Sequence, residues 1–279
     1  MALEAPTQSR VGKSTSSTGE AHGTISAMGI LVIGNWKMNP GSKKDAVKLI
    51  KTLTGASAKY TNVTTVIAPP FPYLSLVTPK KQLSLGAQTL DVETPFTGGV
   101  SVSMLKDLHV SYVILGHSER RAHGETDVHI SARTTSAVDA GLRAVVCVGE
   151  KERDHSGKYF GVIESQVLAA LKKINRTQLS RIVIAYEPVW AISSGDGRGV
   201  TATPDIAHEM KLFIQKVLVG KYGRTIALRV PIIYGGSVNP ENANALLGGE
   251  VDGFLVGGAS IKSDAFISIL KTAAAYGKK

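Results

Sequence analysis

Ala185-Tyr186-Glu187-Pro188-Val189-Trp190-Ala191-Ile192 is the stretch on which the reading of this chain turns. The apolar run 182–185 leads into it as a strand, and Pro188 denies that strand a further backbone donor, so Glu187 stands where the sheet ends. Small residues follow: Ser193, Ser194, Gly195, Asp196, Gly197, Arg198 and Gly199. A carboxylate at a strand's carboxyl end, with a flexible loop able to fold over it, suits a general base shielded from water. A lone carboxylate after a strand is also a common solvated terminus, so its surroundings decide its role.

The same unit, a short β-rich run and then an amphipathic stretch of roughly ten to twenty residues, repeats along the chain. Strands are predicted at 30–35, 64–69, 83–88, 112–116, 144–149, 182–187, 231–235 and 253–257. Helices are predicted near 43–53, 73–77, 103–108, 127–140, 160–174, 204–219, 240–247 and 263–275. Eight βα units in about 250 residues match a closed (β/α)8 barrel, the α/β class, as a single domain over 28–279. An open doubly wound sheet would carry a glycine-rich turn after its first strand, and Gly34-Asn35-Trp36-Lys37 is not one. Residues 1–27, rich in Ser, Thr, Gly and Ala and without hydrophobic periodicity, read as a disordered tail. They lack the apolar core of a secretory signal, and their two glutamates argue against a transit peptide.

The 279 residues are 43% hydrophobic with 29 glycines, enough to bury a large core, and no apolar run approaches a membrane span, so a soluble protein is expected. The single Cys147 lies in the apolar run 144–148 and reads as a small buried hydrophobe; with no disulfide framework within the chain, a reducing, cytoplasmic setting is expected. The formal charge of +10 favours anionic partners. Lys and Arg are scattered along the sequence without interleaved aromatic residues, so neither nucleic acid nor membrane is the expected partner.

In a barrel all eight βα loops open on one face, which turns strand ends into neighbours. The set is Asn35 with Lys37, Gly116-His117-Ser118-Glu119, Glu187, Gly235-Gly236-Ser237 and Gly257-Gly258. Two glycine turns on adjacent strands present backbone amides for a phosphate dianion, and Lys37 adds a point charge. A carboxylate facing an imidazole and an ammonium suits proton abstraction beside a carbonyl, with donors for the oxyanion of an enediolate. His117, His123 and His129 lack a metal-binding spacing, so no metal is expected. Gly116-His117-Ser118-Glu119-Arg120 shares only its first three positions with a serine-hydrolase elbow, and the glycine string 195–199 follows strand six, not strand one as a nucleotide loop would.

Taken in order, Gly34-Asn35-Trp36-Lys37-Met38-Asn39, Gly116-His117-Ser118-Glu119-Arg120-Arg121, Tyr186 to Ile192, Tyr234-Gly235-Gly236-Ser237-Val238 and Gly253 to Ser260 resemble the signatures of the triosephosphate isomerase family. The resemblance runs from Met28 to the C-terminus. It implies interconversion of dihydroxyacetone phosphate and glyceraldehyde 3-phosphate, in glycolysis and gluconeogenesis, with no metal or organic cofactor. Glu187 would shuttle the proton and His117 would polarise the carbonyl as a neutral imidazole, a pairing that belongs to the general description of this family. Ser118 could start a short helix whose dipole disfavours a second charge on His117.

By the same resemblance Lys37 and Asn35 would steady oxyanion and substrate, Glu119 would contact the lysine, and Ser118 would support the histidine side. Ile192 and Leu255 would form an apolar clamp over Glu187, and amides at Ser193, Ser237, Gly257 and Gly258 would hold the phosphate. The 86–100 loop resembles a dimer loop, with Thr97 reaching the partner's site near Asn35, which implies a homodimer. Three features depart from the family. The lid reads Ser193-Ser194-Gly195 for the usual Gly-Thr-Gly and is lengthened over 196–201; Gly99 replaces a glutamate; and 121–125 is one residue short. The longer lid leaves a four-carbon ketose phosphate as an alternative substrate, whereas the intact Glu187, His117 and Lys37 speak against a non-catalytic phosphate-binding module.

Overall fold

A computed structural model describes residues 29–92, 97–192 and 202–277. The expected tail 1–27 and lid 193–201 lie outside them, as do residues 93–96 of the 86–100 loop. Eight strands close into one parallel barrel in chain order: β1 (Ile30–Asn35), β2 (Val63–Ala68), β3 (Leu83–Ala87), β4 (Tyr112–Leu115), β5 (Arg143–Val148), β6 (Ile182–Tyr186), β7 (Ile232–Tyr234) and β8 (Gly253–Val256). Alternate residues of each strand face opposite ways. Leu31, Ile33, Val145, Cys147, Val183 and Ala185 fill the barrel, while Val32, Ile67, Val146, Ile184 and Phe254 pack outward beneath the helices. Burial on both faces explains why the strands read as continuous apolar runs.

The helices are α1 (Lys43–Ser57), α2 (Val102–Asp107), α3 (Ser118–Ala122), α4 (Asp127–Asp139), α5 (Lys158–Ala170), α6 (Pro204–Tyr222), α7 (Arg224–Ala227), α8 (Ala243–Gly248) and α9 (Ser263–Tyr276). Their starts are written locally: Ser42, Ser101, Thr126 and Thr203 each accept a first-turn amide, and Pro204 occupies the first turn of α6, where its missing N–H has no intrahelical use. Among the described residues no helix is long and apolar enough to cross a membrane.

Some elements differ from the sequence reading. The helix expected near 73–77 is a 3-10 helix, Phe71–Leu76, with a proline in its first turn and too little length for α periodicity. Helix α8 starts at Ala243, not 240, because Asn239 and Asn242 exchange side-chain bonds with each other's backbone amides at 2.9 Å, which replaces the first helical turn. Helix α7 is too short to show a periodicity at all.

Closure depends on Gly253, which pairs with Leu31 where β8 meets β1. Its φ is +148°, and a Cβ there would lie 1.8 Å from the Leu31 carbonyl oxygen. Gly253→Ala is therefore expected to destabilise the fold by more than about 3 kcal/mol, whereas Gly161→Ala, at an open and exposed position of α5, should stabilise it by about 0.5–1 kcal/mol. Chemical denaturation of the two variants reads both signs; equal midpoints would show that the β8–β1 seam tolerates a side chain.

Candidate active site

The carboxylate of Glu187 is the buried centre of the rim, with the residue 1% exposed. Strand β6 ends at Tyr186, one residue earlier than its sequence suggests, but the Glu187 amide still donates to the Val148 carbonyl at 2.8 Å, so its backbone belongs to the sheet. Glu187 Oε2 accepts the Ser118 amide at 3.0 Å. Its Oε1 stands 3.4 Å from His117 Nε2. Two glycines make the space: a Cβ on Gly235 would meet Glu187 Cγ at 2.8 Å, and one on Gly149 would meet its carbonyl oxygen at 1.8 Å.

His117 caps α3, and its Nδ1 accepts the Glu119 amide at 3.3 Å. An Nδ1 that accepts a backbone N–H leaves the ring proton on Nε2, directed to the Glu187 side. Ser118, expected on the histidine side, thus acts through its amide on the carboxylate.

Lys37 lies across the mouth. Its ammonium is 2.6 Å from Glu119 Oε1 and 4.0 Å from the Cβ position of Gly257, so the ends of β1, β4 and β8 converge on it. Burial works against the Glu119 charge, but the Lys37 hydrogen bond and charge, with His117 and His123 behind them, outweigh it and hold the carboxyl below its usual value. The pair therefore persists as pH falls until that lowered value is reached. Asn35 Oδ1 accepts the Lys37 amide at 3.1 Å, and the Asn35 carbonyl accepts from Ser260 Oγ at 3.2 Å.

The glycine turns end β7 and β8. Ser237 is half-buried with its carbonyl bonded by Asn242, and its amide meets no acceptor among the described residues. Gly257 and Gly258 open the 3-10 helix Gly258–Ile261, whose first amides have no intrahelical acceptor. Leu255 is in the barrel interior, one residue before β8 ends, and Ile192 is half-buried at the edge of the lid. Ser193 lies outside the described residues.

Supporting residues that sequence reasoning missed act over long sequence separations. Gln88 Nε2 donates to the Lys37 carbonyl at 2.8 Å and to the Ala68 carbonyl at 2.9 Å, tying the ends of β1, β2 and β3 together. Glu150, 1% exposed, accepts from Tyr186 Oη at 2.8 Å and from Trp190 Nε1 at 2.9 Å, which anchors the chain leaving Glu187. Burial, with Glu150 adding to it, drives the Tyr186 hydroxyl pKa far up. Cys147 is buried as expected, and it is also a neighbour of the base: burial and the Glu187 carboxylate push its thiol well above the ordinary value. Glu125, buried, pairs with Arg133 and lies 3.3 Å from Arg120 Nε, and Arg133 reaches Asp91 at 3.1 Å, which pins the foot of the 86–100 loop. A cavity of about 600 Å³ opens between these loops, lined by Asn35, Lys37, Gln88, His117 and Glu119.

A closed parallel barrel with a buried carboxylate, an imidazole and an ammonium gathered at its strand ends defines a barrel enzyme built for acid–base chemistry. Comparison with known proteins makes the assignment specific. The signature described as triosephosphate isomerase matches residues 30–273, and the chain belongs to the triosephosphate isomerase family. It is 44% identical over 250 residues to the triosephosphate isomerase of Endomicrobium trichonymphae, covering 86% of this chain and 97% of that one. It is 44% identical over 248 residues to that of Carboxydothermus hydrogenoformans, with 86% and 97% covered, and 39% identical over 250 residues to that of Fusobacterium nucleatum, with 87% and 98% covered. The chain is accordingly an isomerase.

Two measurements check this geometry. Ser118→Pro suits the first helical position, and His117 already has the extended backbone a following proline needs (φ −51°, ψ 142°), but it replaces the amide that holds Glu187. It should lower stability by at least about 2 kcal/mol, while Ser118→Ala, which keeps the amide, should stay within about 0.5 kcal/mol; equal effects would assign the stabilisation to the hydroxyl. A raised thiol pKa means less thiolate at any given pH, so Cys147 should be silent to a disulfide reagent at about pH 8 in the native enzyme and titrate as one thiol in denaturant. A native thiol reacting at the rate of a free one would contradict its burial.

Proposed function

We propose that this chain interconverts dihydroxyacetone phosphate and D-glyceraldehyde 3-phosphate through an enediolate, the step this family contributes to glycolysis and gluconeogenesis. Glu187 removes a proton from C1 of the ketose; the C–H electrons form the C1=C2 bond as charge moves onto the carbonyl oxygen. His117 donates from Nε2 to that oxygen, and Lys37, with Asn35 behind it, offsets the developing charge. His117 gives its Nε2 proton to the C2 oxygen and takes the C1 hydroxyl proton in return, which moves the charge to the C1 oxygen. As C1=O forms, the C1=C2 electrons take the proton from Glu187 at C2, which yields the aldose with base and imidazole restored and no electron leaving the substrate. Ser118 and Glu119 position the base and the lysine. Amides at Ser193, Ser237, Gly257 and Gly258 hold the phosphate, and Ile192 with Leu255 closes over the carboxylate to exclude water.

The observation that carries this reading is the Glu187 carboxylate, buried, held at one oxygen by the Ser118 amide and set 3.4 Å from His117 Nε2 at the other. A homodimer fits the same reading: the cavity beside Lys37 opens next to Met38, 92% exposed, and would take the 86–100 loop of a second copy with Thr97 toward Asn35. One buried thiol and no disulfide framework suit a reducing compartment such as the cytoplasm.

Steady-state isomerisation of glyceraldehyde 3-phosphate is the test. Wild-type protein should approach a kcat/KM of about 10⁷–10⁸ M⁻¹s⁻¹, and Glu187→Gln should abolish it. Glu187→Asp withdraws the carboxylate by about one bond, so kcat should fall roughly 10²-fold with KM within about threefold. A large rise in KM at unchanged kcat would remove Glu187 from the chemistry, and faster turnover of a four-carbon ketose phosphate would reassign the substrate.

A further inference from the structure

We propose that the outer face of the barrel between α5 and α6, at the end away from the catalytic rim, is a docking surface for an acidic protein segment carrying one bulky apolar side chain. The chain has no Asp or Glu between Glu164 and Glu187, an interval holding Lys172, Lys173, Arg176 and Arg181. It has none between Glu209 and Glu241 either, where Lys216, Lys221, Arg224 and Arg229 lie. All eight are exposed, and none takes part in an ion pair among the described residues; Lys211, in the second interval, is paired with Asp252.

Separate in sequence, the two intervals meet in the fold. The Lys221 ammonium donates to the Leu171 carbonyl at 2.8 Å, and the buried Tyr222 hydroxyl bonds the carbonyls of Leu171 and Ile174 at 3.1 and 3.0 Å. The Arg176 guanidinium stands 3.5 Å from the Cβ position of Gly223, and α7 packs on the 3-10 helix Gln178–Arg181. Because α5 and α6 run antiparallel to the strands, their C-termini collect this charge at the strands' amino ends, opposite Glu187. The eight cations therefore form one local field.

Beside that field a groove of about 450 Å³ runs between the two helices. Leu168, Phe213 and Val217 line it with apolar surface, Gly220 leaves it open with nothing within 4 Å of a Cβ position, and Lys216 and Lys221 edge it opposite its one carboxylate, Glu164. Leu168 is 37% exposed there. The cations want carboxylates, and the floor wants a hydrocarbon side chain. Nucleic acid satisfies only the first, and the aromatic groups nearby, Tyr222 and Phe213, are buried or set into the floor instead of offering stacking faces. An acidic segment with an apolar anchor satisfies both: charge steers the encounter, and the anchor holds the complex.

The test uses the full chain and fluorescence anisotropy with a labelled peptide of glutamates flanking one central leucine. An all-glutamate peptide and a single-stranded RNA oligomer are run beside it. The leucine peptide should bind at low salt and weaken as salt rises. The combined variant Lys172→Glu, Lys173→Glu, Arg224→Glu, Arg229→Glu should lose at least about tenfold in affinity for both peptides. Gly220→Leu, which fills the groove from a helical position with room for it, should lose about tenfold for the leucine peptide and nothing for the all-glutamate one. Melting curves and triose phosphate turnover like wild type would establish that both variants fold and that the rim is untouched. Absence of peptide binding at about 1 mM, variants that bind like wild type, or RNA bound more tightly than the leucine peptide would each overturn the proposal.

Discussion

A carboxylate removed from water is costly by several kcal/mol unless its surroundings replace the lost hydration, and the rim of this barrel is arranged around meeting that demand for Glu187. The demand is spread over three strand ends besides its own. The end of β4 supplies the Ser118 amide and the His117 ring, and β5 supplies the Val148 carbonyl for the Glu187 backbone. Past the ends of β5 and β7, Gly149 and Gly235 leave out the side chains that would collide with it. No single loop could do this, because the contacts come from residues dozens of positions apart. Barrel closure is thus a precondition of the base, and Gly253 at the β8–β1 seam belongs to the site's support although it touches none of it.

How far the sequence is legible follows from the range of each interaction. Apolar runs of strand length and caps such as Ser42 and Thr203 are local, so the eight strands and most helices could be read from the chain with boundaries off by a few residues. The end-of-strand rule then put Glu187, His117 and Lys37 on one face, since topology alone makes neighbours of strand ends. The hold of Gln88 on the Lys37 carbonyl, of Glu150 on Trp190 and of the Ser118 amide on Glu187 spans 51, 40 and 69 positions, and no local pattern announces such contacts. Asn239 and Asn242 show the reverse case, in which two short-range side-chain bonds displace the helical start expected at 240.

The pocket and the end of the barrel where α5 and α6 finish are chemically unlike. Around the pocket, Lys37 is matched by Glu119, Arg121 by Asp127, and Arg133 by Glu125 and Asp91. At the opposite end, Lys211 is matched by Asp252, but the eight exposed cations from Lys172 to Arg181 and from Lys216 to Arg229 have no such partners among the described residues. Matched charge fixes geometry, which the rim needs; unmatched charge projects a field into solvent, which serves encounters.

The position of Lys37 shows how the fold fixes a flexible ammonium. Its side chain is 32% exposed, too open for packing to hold four methylenes in one place. The constraint is applied to the backbone instead. Lys37 has φ +52°, a left-handed conformation that costs a non-glycine residue about 1–2 kcal/mol. Both its backbone polar groups are occupied, the amide by Asn35 Oδ1 and the carbonyl by Gln88 Nε2, so the turn is held from both sides. A side chain leaving a left-handed turn departs in a direction that a helical or extended residue cannot reach, and here that direction crosses the mouth toward Glu119 and Gly257. The strain at Lys37 is borne by β1, β2 and β3 through Gln88, so the cation over the pocket is set by the same sheet that sets the base beneath it.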